Sequence, residues 1–166
     1  MCQVIFILIL FCIIKKMLNI LTGLPQNKKD DNAVCTKFTN SIGYKIILGS
    51  STMKMYCREL NIQPDIKIIS ATKSPQYSIN GIDIAGEGVI TLNECYKLLS
   101  NKNSDNASAI EVVKLITKEK DINFIVGTAD NNEQQFYKQN NLLPRTEIIK
   151  KIVELLKDKK ITTEFI

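Results

Sequence analysis

A chain of 166 residues has room for one core of ordinary size and little room for a second. Hydrophobic residues make up 45% and charged residues 23%, the balance of a folded globular domain rather than of a disordered or fibrous chain. The net charge of +5 comes from scattered lysines, with two arginines, no tryptophan and no histidine; this argues against dedicated nucleic-acid recognition, and the missing histidine removes Ser-His-Asp and Cys-His catalysis and most zinc sites.

The chain opens on an apolar run, residues 4–14, with Lys15 and Lys16 after it rather than before it. That order is wrong for a secretory signal, and the run is shorter than the ~20 residues that cross a hydrocarbon core. Residues 1–17 therefore read as a segment of their own, open to three uses: packing on the domain, a remnant of a longer product, or a weak membrane contact through 4–14 with the lysines on the cytoplasmic side. Residues 18–166 read as one α/β domain.

From Leu18 on, short β-rich runs alternate with longer amphipathic stretches, the pattern of a mostly parallel sheet flanked by helices. Strands are predicted at 18–22, 45–48, 66–69, 123–126 and 161–165. Helices are predicted at 29–40, 51–60, 92–99, 107–118 and 146–157. Ser51 or Thr52 is the expected cap of the second helix and Thr91 or Asn93 that of the third, while Thr146 follows Pro144 at the start of the last. Between 70 and 88, Pro75, Gly81, Gly86 and Gly88 interrupt any long periodic element, so the segment reads as a shaped connection; 101–106 reads as an exposed loop. The five cysteines (Cys2, Cys12, Cys35, Cys57, Cys95) are odd in number, scattered and without a C-x-x-C pair, which points to a reduced, cytoplasmic protein rather than to a disulfide or metal framework.

One internal similarity goes beyond α/β patterning. Asn19-Ile20-Leu21-Thr22-Gly23 with Asn27 is matched by Asn123-Phe124-Ile125-Val126-Gly127 with Asn131. Each copy leads through a charged helix to a lysine-led strand, from Lys45 in one half and from Lys159-Lys160-Ile161 in the other. Two pseudo-repeated β-α-β halves, with both glycine turns on one edge of the sheet, are the arrangement this match suggests.

In open α/β sheets ligands bind beyond the carboxyl ends of the strands. Three turns qualify: Gly23-Leu24-Pro25-Gln26-Asn27, Gly49-Ser50-Ser51-Thr52 and Gly127-Thr128-Ala129-Asp130-Asn131. The second suits an anion, because a small-residue turn that opens a helix exposes N–H groups at the positive end of the helix dipole. It lacks the lysine and spacing of a P-loop, and it serves equally as a tight turn that caps a helix. In the stretch Gly81 to Gly88, Asp83 and Glu87 can bind hydroxyls, an amine or a hard cation such as magnesium. The structural alternatives are a surface ion pair or a helix cap for Glu87. No nucleophile or base accompanies these carboxylates, so no catalytic residue is assigned.

Taken in order, these segments resemble the region C-terminal to the phosphatase in bacterial SpoIIE-family serine/threonine phosphatases. There a strand runs into Gly-Pro-Pro-x-Asn with two acidic residues soon after, as Gly23-Leu24-Pro25-Gln26-Asn27 with Asp30 and Asp31 do here. A second strand ends in Cys-Gly-Gly-Thr-Thr, similar to Leu48-Gly49-Ser50-Ser51-Thr52. Residues Gly81 to Leu92 resemble Gly-Ile/Val-Asp-Leu-x-x-Glu-Gly-Val-x-Thr-Leu, Asp105-Asn106-Ala107 resembles Asp-Gly-Ala, and Ile122 to Asn131 resemble Ile-x-Phe-x-Val-Gly-x-Ala-x-Asn. Leu24, Leu48, Ser50 and Ser51 depart from the pattern in the two turns.

The family's phosphatase holds Mn²⁺ or Mg²⁺ on aspartates, and the residues before Leu18 are too few to contain it. The resemblance therefore implies a regulatory or ligand-binding accessory domain without phosphatase activity of its own, and no cofactor unless a phosphatase domain is supplied elsewhere. The expected ligand is small and anionic or hydroxylated, held by Gly23, Asn27, Gly49, Ser50, Ser51, Thr52, Asp83, Glu87, Gly127 and Asn131. The alternatives are an interaction module for a separate phosphatase or signalling protein, and a small enzyme acting on a phosphorylated metabolite.

Overall fold

The structure, a computed structural model, describes residues 17–67, 76–129 and 134–166. The apolar run at 4–14, the predicted strand positions 68–69, and Asn131 lie outside the described residues. Seven strands form one sheet: β1 Met17–Thr22, β2 Tyr44–Leu48, β3 Asp65–Lys67, β4 Gln76–Ser78, β5 Ile84–Gly86, β6 Asp121–Val126 and β7 Lys160–Phe165, in the order β3-β4-β5-β2-β1-β6-β7. The five from β5 to β7 in that order pair in parallel, and β4 runs antiparallel to both β3 and β5. The helices are α1 Asp31–Asn40, α2 Ser50–Glu59, α3 Val89–Leu99, α4 Ala107–Lys118, α5 Gln134–Gln139 and α6 Arg145–Leu155.

Both faces of the central strands are covered, which is why β1 reads as a nearly unbroken apolar run rather than as an alternation. Leu18, Ile20, Ile46, Leu48, Ile122, Phe124 and Val126 point to one face and pack with Leu92 and Cys95 of α3, Val112 and Ile116 of α4, and Ile148, Ile149 and Ile152 of α6. Leu21, Ile47 and Ile125 point to the other and pack with Val34, Cys35 and Phe38 of α1 and Met53, Tyr56 and Cys57 of α2. There the Phe38 and Tyr56 rings meet edge to face, 5.9 Å between centroids.

The chain lays β1, β2 and β5 outward in one direction, then crosses back over α3 and α4 to place β6 on the free side of β1, with β7 beyond it. The strand order therefore reverses between β1 and β6, the topological switch point of a doubly wound sheet. The repeated segments lie side by side at that point. Asn19 pairs with Asn123 and Thr22 with Val126, so the Gly23 and Gly127 turns leave the same edge. The repeated asparagines touch: Asn123 Nδ2 donates to Asn19 Oδ1 at 3.3 Å, while Asn19 Nδ2 donates to the Ile42 carbonyl at 2.9 Å.

Four details differ from the sequence reading. The segment 70–88 carries β4 and β5, and β5 is a full member of the parallel set, although at three residues between glycines it is too short to show a period. The helix α5 is likewise only six residues long. Glycines, rather than hydroxyl residues, cap α2 and α3: Gly49 and Gly88 hold the N-cap positions. Thr91 and Asn93 lie inside α3, where Asn93 Nδ2 donates to the Val89 and Leu143 carbonyls and its Oδ1 accepts from the Leu143 N–H. Among the described residues no helix is long and apolar enough to cross a membrane.

Candidate functional site at the carboxyl rim of the sheet

The strand ends on the carboxyl side close on one another through backbone. A methyl group on Gly23 would lie 2.6 Å from the Gly127 carbonyl oxygen and 2.8 Å from Nη1 of Arg145. One on Gly127 would lie 2.2 Å from the Leu24 carbonyl oxygen, and one on Gly88 would lie 3.2 Å from Gly49 Cα. Gly23 and Gly49 also sit at φ 86° and 120°, a region costly for any residue with a Cβ. Hydrogen bonds stitch the same rim: Gly127 N–H donates to the Thr22 carbonyl at 2.8 Å, Gly49 N–H to the Gly86 carbonyl at 2.8 Å, and Gly23 N–H to Thr52 Oγ1 at 2.8 Å.

Three helices begin on this rim without a side-chain cap. They are α2 after Gly49, α3 after Gly88 and α6 after Pro144. The first turns of α2 and α3 contain no acidic residue, whereas Glu87 stands just before the N-cap of α3 and Glu147 lies in the first turn of α6. Ser50 and Ser51 are exposed at the start of α2, and Glu87 is half-buried just before Gly88. Arg145 occupies the first position of α6, with its guanidinium against Gly23. Backbone amides, hydroxyls and one guanidinium together make a surface that favours an oxyanion.

Of the residues expected to bind, Gly23, Gly49, Ser50, Ser51, Thr52, Glu87 and Gly127 are brought to this rim. Two are used elsewhere. Asn27 is exposed and accepts from the Lys29 N–H at 3.1 Å, capping the 3-10 turn Lys28–Asp30 that leads into α1. Asp83 precedes β5, at the amino end of the strand, where its Oδ2 accepts from the Lys45 N–H at 2.9 Å. Because β5 lies between Asp83 and Glu87, the two carboxylates sit at opposite ends of a strand and form no joint cation site. Among the described residues no group of three or more His, Cys, Asp or Glu is placed to hold a metal ion.

Two residues that the sequence reading missed mark this rim. Arg145 is a cation in the first turn of a helix, where the dipole disfavours it; that misplacement, in a chain with two arginines, is the signal that could have found it. Thr22 is fully buried at the last rung of β1, and its Oγ1 has no hydrogen-bond partner among the described residues; the same holds for Thr91 Oγ1 in the first turn of α3. Ser100 Oγ, at the far end of α3, is likewise without a partner among the described residues, so what sets Thr22 and Thr91 apart is their place beside the rim.

No protein-family model matches the chain, and neither a curated protein nor a solved structure does.

Proposed function

We propose that this chain is a ligand-binding accessory domain that takes a small anionic or hydroxylated molecule at the carboxyl rim of its sheet. The observation that carries the reading is the pair of backbone contacts at the strand ends, Gly23 on Gly127 at the switch point and Gly49 on Gly88 beside it, with three helix starts that lack side-chain caps and the Arg145 guanidinium against Gly23. Doubly wound sheets place ligands at this location, and positive helix ends select negative charge. The resemblance to the C-terminal region of SpoIIE-type phosphatases supplies the setting: ligand occupancy would report to a phosphatase or signalling protein carried elsewhere.

Thermal denaturation of the purified chain against phosphate, sugar phosphates, nucleotides and dicarboxylates tests the reading. A ligand at a hundredfold excess over its Kd stabilises by about 2.7 kcal/mol, which for a chain of this size raises the midpoint by about 5–10 °C. Glu87→Gln is expected to change the size of that shift, since Glu87 borders the rim. If no compound of the panel moves the midpoint at constant ionic strength, the chain is not a binding module for such ligands.

A further inference from the structure

The inference rests on the rim reading above and gives it a chemical class and a place. Along the last rung of the sheet, Gly86, Leu48, Thr22, Val126 and Phe165 are paired neighbours. Leu18, Ile20, Leu48 and Val126 all face α3, α4 and α6, and the alternation along β1 turns Thr22 to that same face. The start of α3 crosses above it. Residue Gly88 touches Gly49 beyond β2, and Asn93 holds Leu143 just before α6, so the turn between them spans the end of β1. In that turn Thr91 lies four residues before Cys95, on the core side of the helix.

We propose that an oxyanion of the phosphate class is received at the end of β1 by the Thr22 and Thr91 hydroxyls and the Arg145 guanidinium. Both hydroxyls donate readily to a phosphate oxygen, and the guanidinium matches it with paired N–H groups. Neither threonine is exposed, so the anion reaches them only when the roof over β1 opens. Arg145, half-buried at the first position of α6 with its guanidinium against Gly23, is the cationic side chain at that opening.

The test uses inorganic phosphate as the probe, at fixed ionic strength, with thermal denaturation and phosphorus NMR or calorimetric titration on the whole chain. Thr22→Val removes the hydroxyl and keeps the shape. It is expected to leave the ligand-free midpoint unchanged or raised, because no described residue hydrogen-bonds that hydroxyl, and to weaken phosphate binding tenfold or more. Arg145→Gln is expected to weaken it at least as much, with Arg145→Lys intermediate, while a Ser50→Ala, Ser51→Ala pair at the start of α2, on the same rim, is expected to weaken it less.

Three results would overturn the assignment. If phosphate binds the wild type and these variants alike, or binding is lost in the serine pair instead, the rim still binds anions but not at the end of β1. If Thr22→Val unfolds at a clearly lower temperature without phosphate, the hydroxyl belongs to the fold. If the wild type binds no phosphate, this assignment falls, and the rim reading falls with it only when the whole ligand panel fails as well.

Discussion

Asn19 shows how much one polar side chain can settle in an otherwise apolar strand. It is fully buried in β1, donates to the Ile42 carbonyl and accepts from Asn123, so it ties the turn before β2 to the two central strands. Asn19→Leu is expected to lower unfolding free energy by about 1 kcal/mol, because it removes the hydrogen bonds to the Ile42 carbonyl and from Asn123; urea denaturation measures it, and a smaller effect than that of Asn123→Ala would contradict the assignment. The cysteines give a second prediction at this scale. Burial, reinforced by Glu59 and Asp31, pushes the Cys35 thiol up to about 12, and burial, reinforced by Glu94, does the same for Cys95, against an ordinary 9.0. The folded thiols thus keep their protons where unfolded ones lose them. Their contribution is complete below pH 9 and is lost as pH rises from there toward 12. Denaturation midpoints that fall above pH 9, with a shallower fall in Cys95→Ala, are the expected result.

At the scale of elements, what the sequence reveals depends on whether the deciding contact is local. The helix predicted at 107–118 begins and ends there, because Asn106 is a local cap: its Oδ1 accepts from the Ala109 N–H at 2.9 Å. Asn106→Ala should therefore cost about 1 kcal/mol, within the usual 0.5–2 for a lost cap, measurable as a lower urea midpoint. The starts of α2 and α3 were not legible in the same way. Ser51, Thr52, Thr91 and Asn93 are good capping residues, yet Gly49 and Gly88 hold the N-cap positions, because their backbones pack on each other although they are far apart in sequence. Thr52 is drawn instead to the Gly23 N–H. The candidate site followed the same rule: its glycine turns could be read from strand ends and Arg145 was marked only as a cation at a helix start, whereas Thr22 became visible only when the last rung of the sheet was assembled.

The whole molecule is organised by a strand order that no local pattern contains. Alternating strand and helix signals identify a mostly parallel sheet, and the Asn-strand-Gly repeat points to one edge for two of the turns. The crossing of α3 and α4 that sets β6 beside β1 is a long-range event fixed by burial on both faces. That order predicts where the molecule opens first. The strands β1 and β6 each have a parallel neighbour on both sides over five or more paired positions and lie between two apolar clusters. By contrast, β3 and β4 are three residues each, and β4 meets β5 at the single pair Tyr77 and Ala85. Local opening draws on the elements with the fewest buried contacts. Hydrogen exchange should therefore proceed from β3 and β4 to β7 and last to β1 and β6, with the central amides exchanging only through global unfolding. Phosphate should slow exchange chiefly at the starts of α3 and α6 and leave β3 and β4 unchanged, because the rim lies over β1 and not over the antiparallel edge. If β1 exchanged as fast as β4, the two faces of the sheet would not form one cooperative core, and a site built on its central rung would lack the rigid floor that anion selection requires.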